Sequence, residues 1–264
     1  MSTWEAILLG IIQGLTEFLP VSSSGHIELG KYILDVETTD NLLFSIVVHG
    51  ATALSTIVVF RKDIAQILKG LFNLQWNDEK DFSAKILLSM VPVGVVGVLW
   101  EAEIEALFIG NVMLVGFMLL ITGLLLSFTY YKKAGSTSVN YPKSLLIGLA
   151  QAFAIFPGIS RSGSTISTAL LLNISREKAA RFSFLMVLPP IIGAMLLKVK
   201  DYMEVPEVAG GISAIALSAG FIAAFLSGLW ACKWMIGIVK KGKLIYFAIY
   251  CFIVGTIALA WSFI

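Results

Sequence analysis

Two stretches decide how this chain must be read: Gln13-Gly-Leu-Thr-Glu17-Phe-Leu-Pro20-Val-Ser-Ser-Ser-Gly25-His26 and Gln151-Ala-Phe-Ala-Ile-Phe-Pro157-Gly-Ile-Ser160-Arg161-Ser-Gly163-Ser-Thr165. Each begins as an apolar helix-like run, breaks at a proline, and reopens through serine and glycine. The first carries a carboxylate and an imidazole, the second a guanidinium. Ionisable side chains are costly at membrane depth and by default mark a functional site there.

The rest of the chain supplies that depth. Of its 264 residues, 58% are hydrophobic and 14% charged; a soluble domain has about a quarter of its residues charged. Such a composition describes a polytopic membrane protein. A net charge of +2 does not call for a nucleic-acid partner. Cys232 and Cys251 lie in or beside apolar segments, too far apart for a metal knuckle, and read as unpaired packing residues. The first segment lacks a basic leader and contains Glu5 and Glu17, so no cleavable signal peptide is expected.

Apolar runs at 42–60, 86–100, 111–131, 181–198, 211–231 and 244–263 are expected to span the bilayer, the 86–100 run being short. Residues 3–34 and 144–173 read differently, each as two half-length apolar pieces joined at the Pro-Ser-Gly break. A helix over 3–19 rises only about 25 Å, which is marginal for crossing. Broken backbone at that depth survives only inside protein or beside a watery cavity. Two re-entrant helical hairpins are therefore expected. Lys and Arg concentrate at 61–85, 132–143 and 233–243, and the 101–105 and 201–207 loops are acidic. The positive-inside rule then places the basic loops in the cytoplasm, and the 31–41 loop and the C-terminus outside.

On this threading the hairpins enter from opposite sides. Gln13 and Gln151 each precede a proline by six or seven residues, and each hairpin is followed by three spans. The expected fold is thus all-α, a single integral membrane domain over 1–264, with an inverted-topology repeat of 1–131 and 141–264. Such repeats bring broken helices together near the midplane.

The second break suits an anion. Its glycines let backbone approach, Ser160, Ser162 and Thr165 bring hydroxyls, and the following helix points its positive end at the break. Arg161 adds a fork matched to phosphate oxygens. In the first break Ser23 and His26 are three apart and would face the same way on a helix. At least one of Ser22, Ser23 and Ser24 is expected to cap that helix. Glu17 shares a helical face with Gln13; it could orient His26, accept a proton, hold a divalent cation, or simply neutralise Arg161. His49, before Gly50, is the weakest polar candidate and reads as a packed histidine. The 175–181 segment is assigned to topology.

These two motifs, with Arg181-Phe-Ser-Phe184 and Pro189-Pro-Ile-Ile-Gly193, closely resemble the undecaprenyl-diphosphate phosphatase family, the bacitracin-resistance integral-membrane type. The resemblance implies hydrolysis of a C55-type polyprenyl diphosphate to the monophosphate carrier of cell-wall synthesis. It also implies a plasma-membrane location and a site open to the outer face. Carried over by position, Glu17, Ser23, His26 and Arg161 fall on the family's active-site residues. Ser22, Ser160, Ser162, Gly163 and Thr165 fall in the phosphate-binding segments. Gln13 stands where a glutamate is common, which removes one carboxylate from any metal site, and Ser24 where threonine is frequent. Mg2+ or Ca2+ is the cofactor that the resemblance implies, and Glu17 is the residue placed to hold it.

The expected chemistry is in-line attack by Ser23 or His26, with Arg161 stabilising the developing charge. The alternative is a transporter or flippase, because opposed half-helices also suit alternating access. Small residues around Gly210, Gly220 and Gly228 could pack within the chain or build a homodimer.

Overall fold

Helix starts follow local capping chemistry. Ser2 accepts from the Glu5 amide while Glu5 reaches back to the Ser2 amide at 2.9 Å, a reciprocal capping box. Asn77, Asn140 and Ser213 cap three later helices through their side chains. Gly242, at φ +69°, ends the longest helix in the left-handed conformation that glycine adopts without penalty.

The computed structural model describes residues 1–34, 41–107, 111–204 and 212–262. Most of the expected 31–41 outer loop lies outside the described residues, as do positions 205–207 of the acidic 201–207 loop and Gly210. The described elements are helical: α1 Thr3–Phe18, α2 Ser23–Leu34, α3 Asn41–Val59, α4 Arg61–Leu71, α5 Asp78–Leu99, α6 Glu101–Ala106, α7 Val112–Tyr130, α8 Tyr141–Phe153, α9 Arg161–Leu171, α10 Arg176–Leu185, α11 Leu188–Glu204, α12 Ala214–Lys241 and α13 Ile245–Trp261. Both broken segments appear as helix–turn–helix pairs, α1–α2 and α8–α9, each packed on itself.

Among the described residues, four helical stretches are long and apolar enough to cross a membrane: Asp78–Leu99, Val112–Tyr130, Arg176–Leu197 and Ala214–Lys241. A fifth follows if α3 and α4, bent by 79° from each other, are taken together. Helix α13 is apolar but shorter, at 17 residues. Large apolar side chains cover the outside of these helices, including Val98 of α5 and Leu226 of α12. This is the surface of a multi-pass membrane protein. Two expected boundaries shift. Helix α5 begins at Asp78 because Asn77 caps it, which lengthens the short 86–100 run, and most of the basic 233–243 segment is the end of α12.

Small residues make the seams. Gly10 of α1 lies against Gly220, and Gly14 against Ala224 and Ser227, all three on α12. Gly148 of α8 rests on the Ser89 backbone of α5. Gly116 of α7 faces Gly255 of α13, where a Cβ would meet the Gly255 carbonyl at 3.0 Å. Close backbone approach of this kind replaces the hydrophobic drive that lipid removes. Helix α3 packs on α11 and on α12, and Ser55 donates to the Phe225 carbonyl at 2.9 Å. Gly220 and Gly228 pack within the chain, against Phe44 and against Ser55 and Phe18. Cys232 and Cys251 are free and buried.

Candidate active site

The first hairpin turns where Leu19 leaves helical geometry and Ser22 takes a left-handed backbone, φ +71°. Ser22 then caps α2, its Oγ accepting from the Gly25 amide at 3.2 Å. The second hairpin turns through Pro157 and Gly158, φ +97°, and Ser160 caps α9 by accepting from the Gly163 amide at 3.0 Å. Ser160, Arg161 and Ser162 are therefore the cap and first two residues of α9, at its positive end.

The two turns touch. Ser162 donates to the Leu19 carbonyl at 3.2 Å, and Arg161 forms an ion pair with Glu17 through Nη2 and Oε1. A Cβ at Gly25 would lie 3.0 Å from Gly158, so glycine allows this approach. Thr122 of α7, which no sequence motif singles out, fixes the second turn from behind. Its hydroxyl donates to the Gly158 carbonyl at 3.1 Å and accepts from the Ser160 amide at 3.0 Å.

Glu17 is the centre of the arrangement. Its side chain is 5% exposed, and besides Arg161 it accepts from Ser23 Oγ at 2.7 Å and Gln13 Nε2 at 3.0 Å. The Gln13 bond is the i, i+4 pair that helical spacing predicts. A serine hydroxyl that donates to a buried carboxylate has a proton acceptor already in place.

His26 lies elsewhere. Ser23 and His26 were expected to face the same way, but Ser23 turns to Glu17 and His26 turns to α13. His26 Nδ1 lies 2.8 Å from the Ser22 carbonyl and Nε2 lies 2.8 Å from the Tyr250 hydroxyl, with the two rings stacked. A carbonyl only accepts, so Nδ1 carries a proton, and in the neutral ring Nε2 accepts from Tyr250. Both nitrogens are engaged, and His26 does not line the cavity described next.

A cavity of about 750 Å³ joins the two turns. Gln13, Glu17, Ser23 and Ser24 line it from the first hairpin; Gln151, Ser160, Arg161 and Ser162 line it from the second. His49 also lines it, its Nδ1 held 2.8 Å from the Ser45 carbonyl. Ser22, Gly163 and Thr165 are not among the lining residues: Ser22 is buried in the first turn, where it caps α2, and Gly163 and Thr165 are buried in α9, bonded to Ser160 and Arg161. Glu28, Lys31 and Ile104 line the cavity as well, and its walls include Val93, Pro190, Ile191 and Ala194. Several polar atoms of these lining residues are buried and unsatisfied. Arg161 Nη1, Gln13 Oε1 and both polar atoms of Gln151 have no hydrogen-bond partner among the described residues. Of these four atoms Arg161 Nη1 and Gln151 Nε2 are donors, which suit an anionic ligand, and the two Oε1 atoms are acceptors.

The donor set does not build a metal cage from protein alone. Among the described residues no three His, Cys, Asp or Glu side chains converge, and both Glu17 oxygens already have partners. A cation here would have to share an anionic ligand with Glu17.

Comparison with known proteins agrees with the resemblance read from the two motifs. The family described as bacitracin resistance protein BacA matches residues 6–257, nearly the whole chain. A protein of Christiangramia forsetii is 55% identical over 265 residues, covering 100% of this chain and 99% of the relative. One from Bacteroides fragilis is 52% identical over 263 residues, 99% of each. A more distant one, from Methanobrevibacter smithii, is 35% identical over 278 residues, 99% of this chain and 98% of the relative. All three are named undecaprenyl-diphosphatase. The chain is a helical membrane protein and belongs to the BacA family.

Proposed function

We propose that this protein hydrolyses the terminal phosphate from a polyprenyl diphosphate of the undecaprenyl class, returning the monophosphate carrier to cell-wall synthesis. Its relatives bear the name of that activity. The observation that carries the reading is the Ser23 hydroxyl held by Glu17 in the cavity that also holds Arg161. Ser23 Oγ attacks the terminal phosphorus and gives its proton to Glu17. The bridging P–O bond breaks, the prenyl monophosphate leaves, and water then hydrolyses the phosphoserine. Arg161 and the start of α9 hold the negative charge that spreads over the phosphoryl oxygens. His26 braces the first turn instead of attacking, because its nitrogens bond Ser22 and Tyr250. Carrying an anion across a membrane requires no hydroxyl paired with a carboxylate, so the geometry does not favour the transporter reading.

The finer architecture belongs to the same proposal: six spans and two opposed re-entrant hairpins, related as inverted repeats. Exchanging α1 with α8, α2 with α9, α3 with α11, α5 with α12 and α7 with α13 carries the α1–α12 seam onto α8–α5. It leaves the α3–α11 and α7–α13 seams in place. The exchange also carries the packed α3–α12 seam onto α11–α5, yet among the described residues no such seam joins α5 to α11. Val93 of α5 and Pro190, Ile191 and Ala194 of α11 line the cavity there instead. A Cβ at Gly94, Gly97 or Gly193 would meet nothing within 4 Å. This gap is the path for the isoprenoid tail. Of the cavity's lining residues, Lys31 and Ile104 belong to the 31–41 and 101–105 segments that the loop charges place outside the plasma membrane, which supports an outward-facing site.

Mg2+ or Ca2+ is proposed only as a companion of the diphosphate, with Glu17 its one protein carboxylate; it would neutralise phosphate charge. A homodimer would have to use a face other than Gly220 and Gly228. Phosphate release from a C55 or C15 prenyl diphosphate by the detergent-purified protein, beside Arg161→Ala, tests the function. Release by the wild type and loss in the variant are expected; no release by folded protein with or without Mg2+ or Ca2+ would refute it.

A further inference from the structure

Gln151 serves neither the helix that carries it nor the pair at the centre of the site. It sits on α8 with 3% of its surface exposed and lines the same cavity as Arg161 and Glu17. Neither Nε2 nor Oε1 has a hydrogen-bond partner among the described residues. Leaving both ends of a buried amide unsatisfied is unfavourable, and native structures seldom retain it without a ligand or water to bind.

The two halves of the chain differ at this point. Gln13 stands 12 residues before Gly25, and Gln151 stands 12 before Gly163 (25 − 13 and 163 − 151). Four residues after Gln13 comes Glu17, which takes the Gln13 Nε2 hydrogen bond at 3.0 Å. Four residues after Gln151 comes Ile155, which offers nothing to bond. The same side chain at the matching place therefore orients a carboxylate in one half and is left with both its donor and its acceptor unspent in the other. Arg161 Nη1, on the second arm of the same hairpin, is buried and unpartnered too.

We infer that Gln151 is a substrate-binding residue: its Nε2 donates to a non-bridging oxygen of the diphosphate beside Arg161. The two donors come from opposite arms of the second hairpin and complete a clamp that the sequence motif around Arg161 shows only in part. The inference rests on the diphosphatase reading and names a ligand of that same site.

The experiment compares wild type, Gln151→Leu and Gln151→Asn in detergent. It reads kcat and KM for a C15 prenyl diphosphate, Ki for a C15 prenyl methylenediphosphonate whose P–C–P bridge is not hydrolysed, and the thermal midpoint of the ligand-free protein. Loss of one hydrogen bond to a charged group raises KM and Ki in both variants together, by about tenfold or more, with kcat changed less. Gln151→Asn keeps the amide but is too short to reach, so it should resemble Gln151→Leu. The thermal midpoint of Gln151→Leu should hold or rise, because an apolar side chain replaces an unsatisfied one; a structural glutamine would make it fall.

Unchanged KM and Ki in Gln151→Leu, or a fallen midpoint accompanying lost activity, would overturn the assignment. A wild type that binds the methylenediphosphonate yet releases no phosphate overturns the hydrolase reading alone, and the Ki comparison still decides Gln151. One that neither binds nor hydrolyses overturns both.

Discussion

Replacing Glu17 by glutamine should move binding and turnover in opposite directions. In the resting site the Glu17 carboxylate is 5% exposed and the Arg161 side chain 24%. Removing the negative partner of a buried pair destabilises by about 3–5 kcal/mol, and the quarter-exposed guanidinium places this case at about 3. The same change releases Arg161 Nη2 for an anion, so a C15 prenyl methylenediphosphonate should bind about tenfold tighter, worth about 1.4 kcal/mol. Turnover should fall about 10²- to 10⁴-fold, because Ser23 loses the acceptor of its proton. The assays are phosphate release from a C15 prenyl diphosphate, inhibition by the analogue, and a double-mutant cycle on thermal stability with Arg161→Gln. Turnover within about tenfold of wild type would refute the base role. Affinity that falls with turnover and no longer responds to Mg2+ would also refute it, by placing a cation rather than a free base at Glu17.

Other expectations follow from the same geometry. Ser23→Ala should lose at least about 10³-fold in kcat, whereas His26→Gln should stay within about tenfold; the reverse order in phosphate-release assays would return His26 to the chemistry. Val93→Trp and Ala194→Trp should fill the gap between α5 and α11, lowering kcat/KM for a C55 diphosphate about tenfold while a C5 diphosphate changes less than about twofold. Equal losses on both substrates would mean that the tail does not run there. Thr122→Val removes two hydrogen bonds from a residue 1% exposed, at the Gly158 carbonyl and the Ser160 amide. It should destabilise by about 1–3 kcal/mol, read as a lower thermal midpoint in detergent; an unchanged midpoint would show that the second turn holds itself.

Much of this protein is legible along the chain because membrane depth permits few solutions. Apolar runs must be helices there, since no other local structure satisfies its own backbone. Pro20 and Pro157, each followed by serine and glycine, therefore announce broken helices, and Glu17 and Arg161 announce the site. A cap among Ser22, Ser23 and Ser24 follows from local hydrogen-bonding capacity, and Ser22 fills it; Ser160 caps α9 by the same chemistry, though the sequence marks it only as a phosphate-binding hydroxyl. Family membership was readable as well, because both motifs are contiguous.

What the sequence could not decide is which groups meet across long separations. Helical spacing put Ser23 and His26 together, but spacing ignores what packs outside the helix. The partner of His26 is Tyr250, 224 residues away, and the partner of Ser23 lies beyond the Ser22 turn. Thr122 reaches the second turn from α7, and no motif marks it. Gln13 and Gln151 look alike in sequence, and only the packed cavity shows that one amide is bonded and the other is not. Local chemistry determined where the chain breaks and which charges lie at the breaks. Tertiary packing decided which side chains share the cavity, because a hydrogen bond needs two groups at about 3 Å, and such distances follow from the seams between helices.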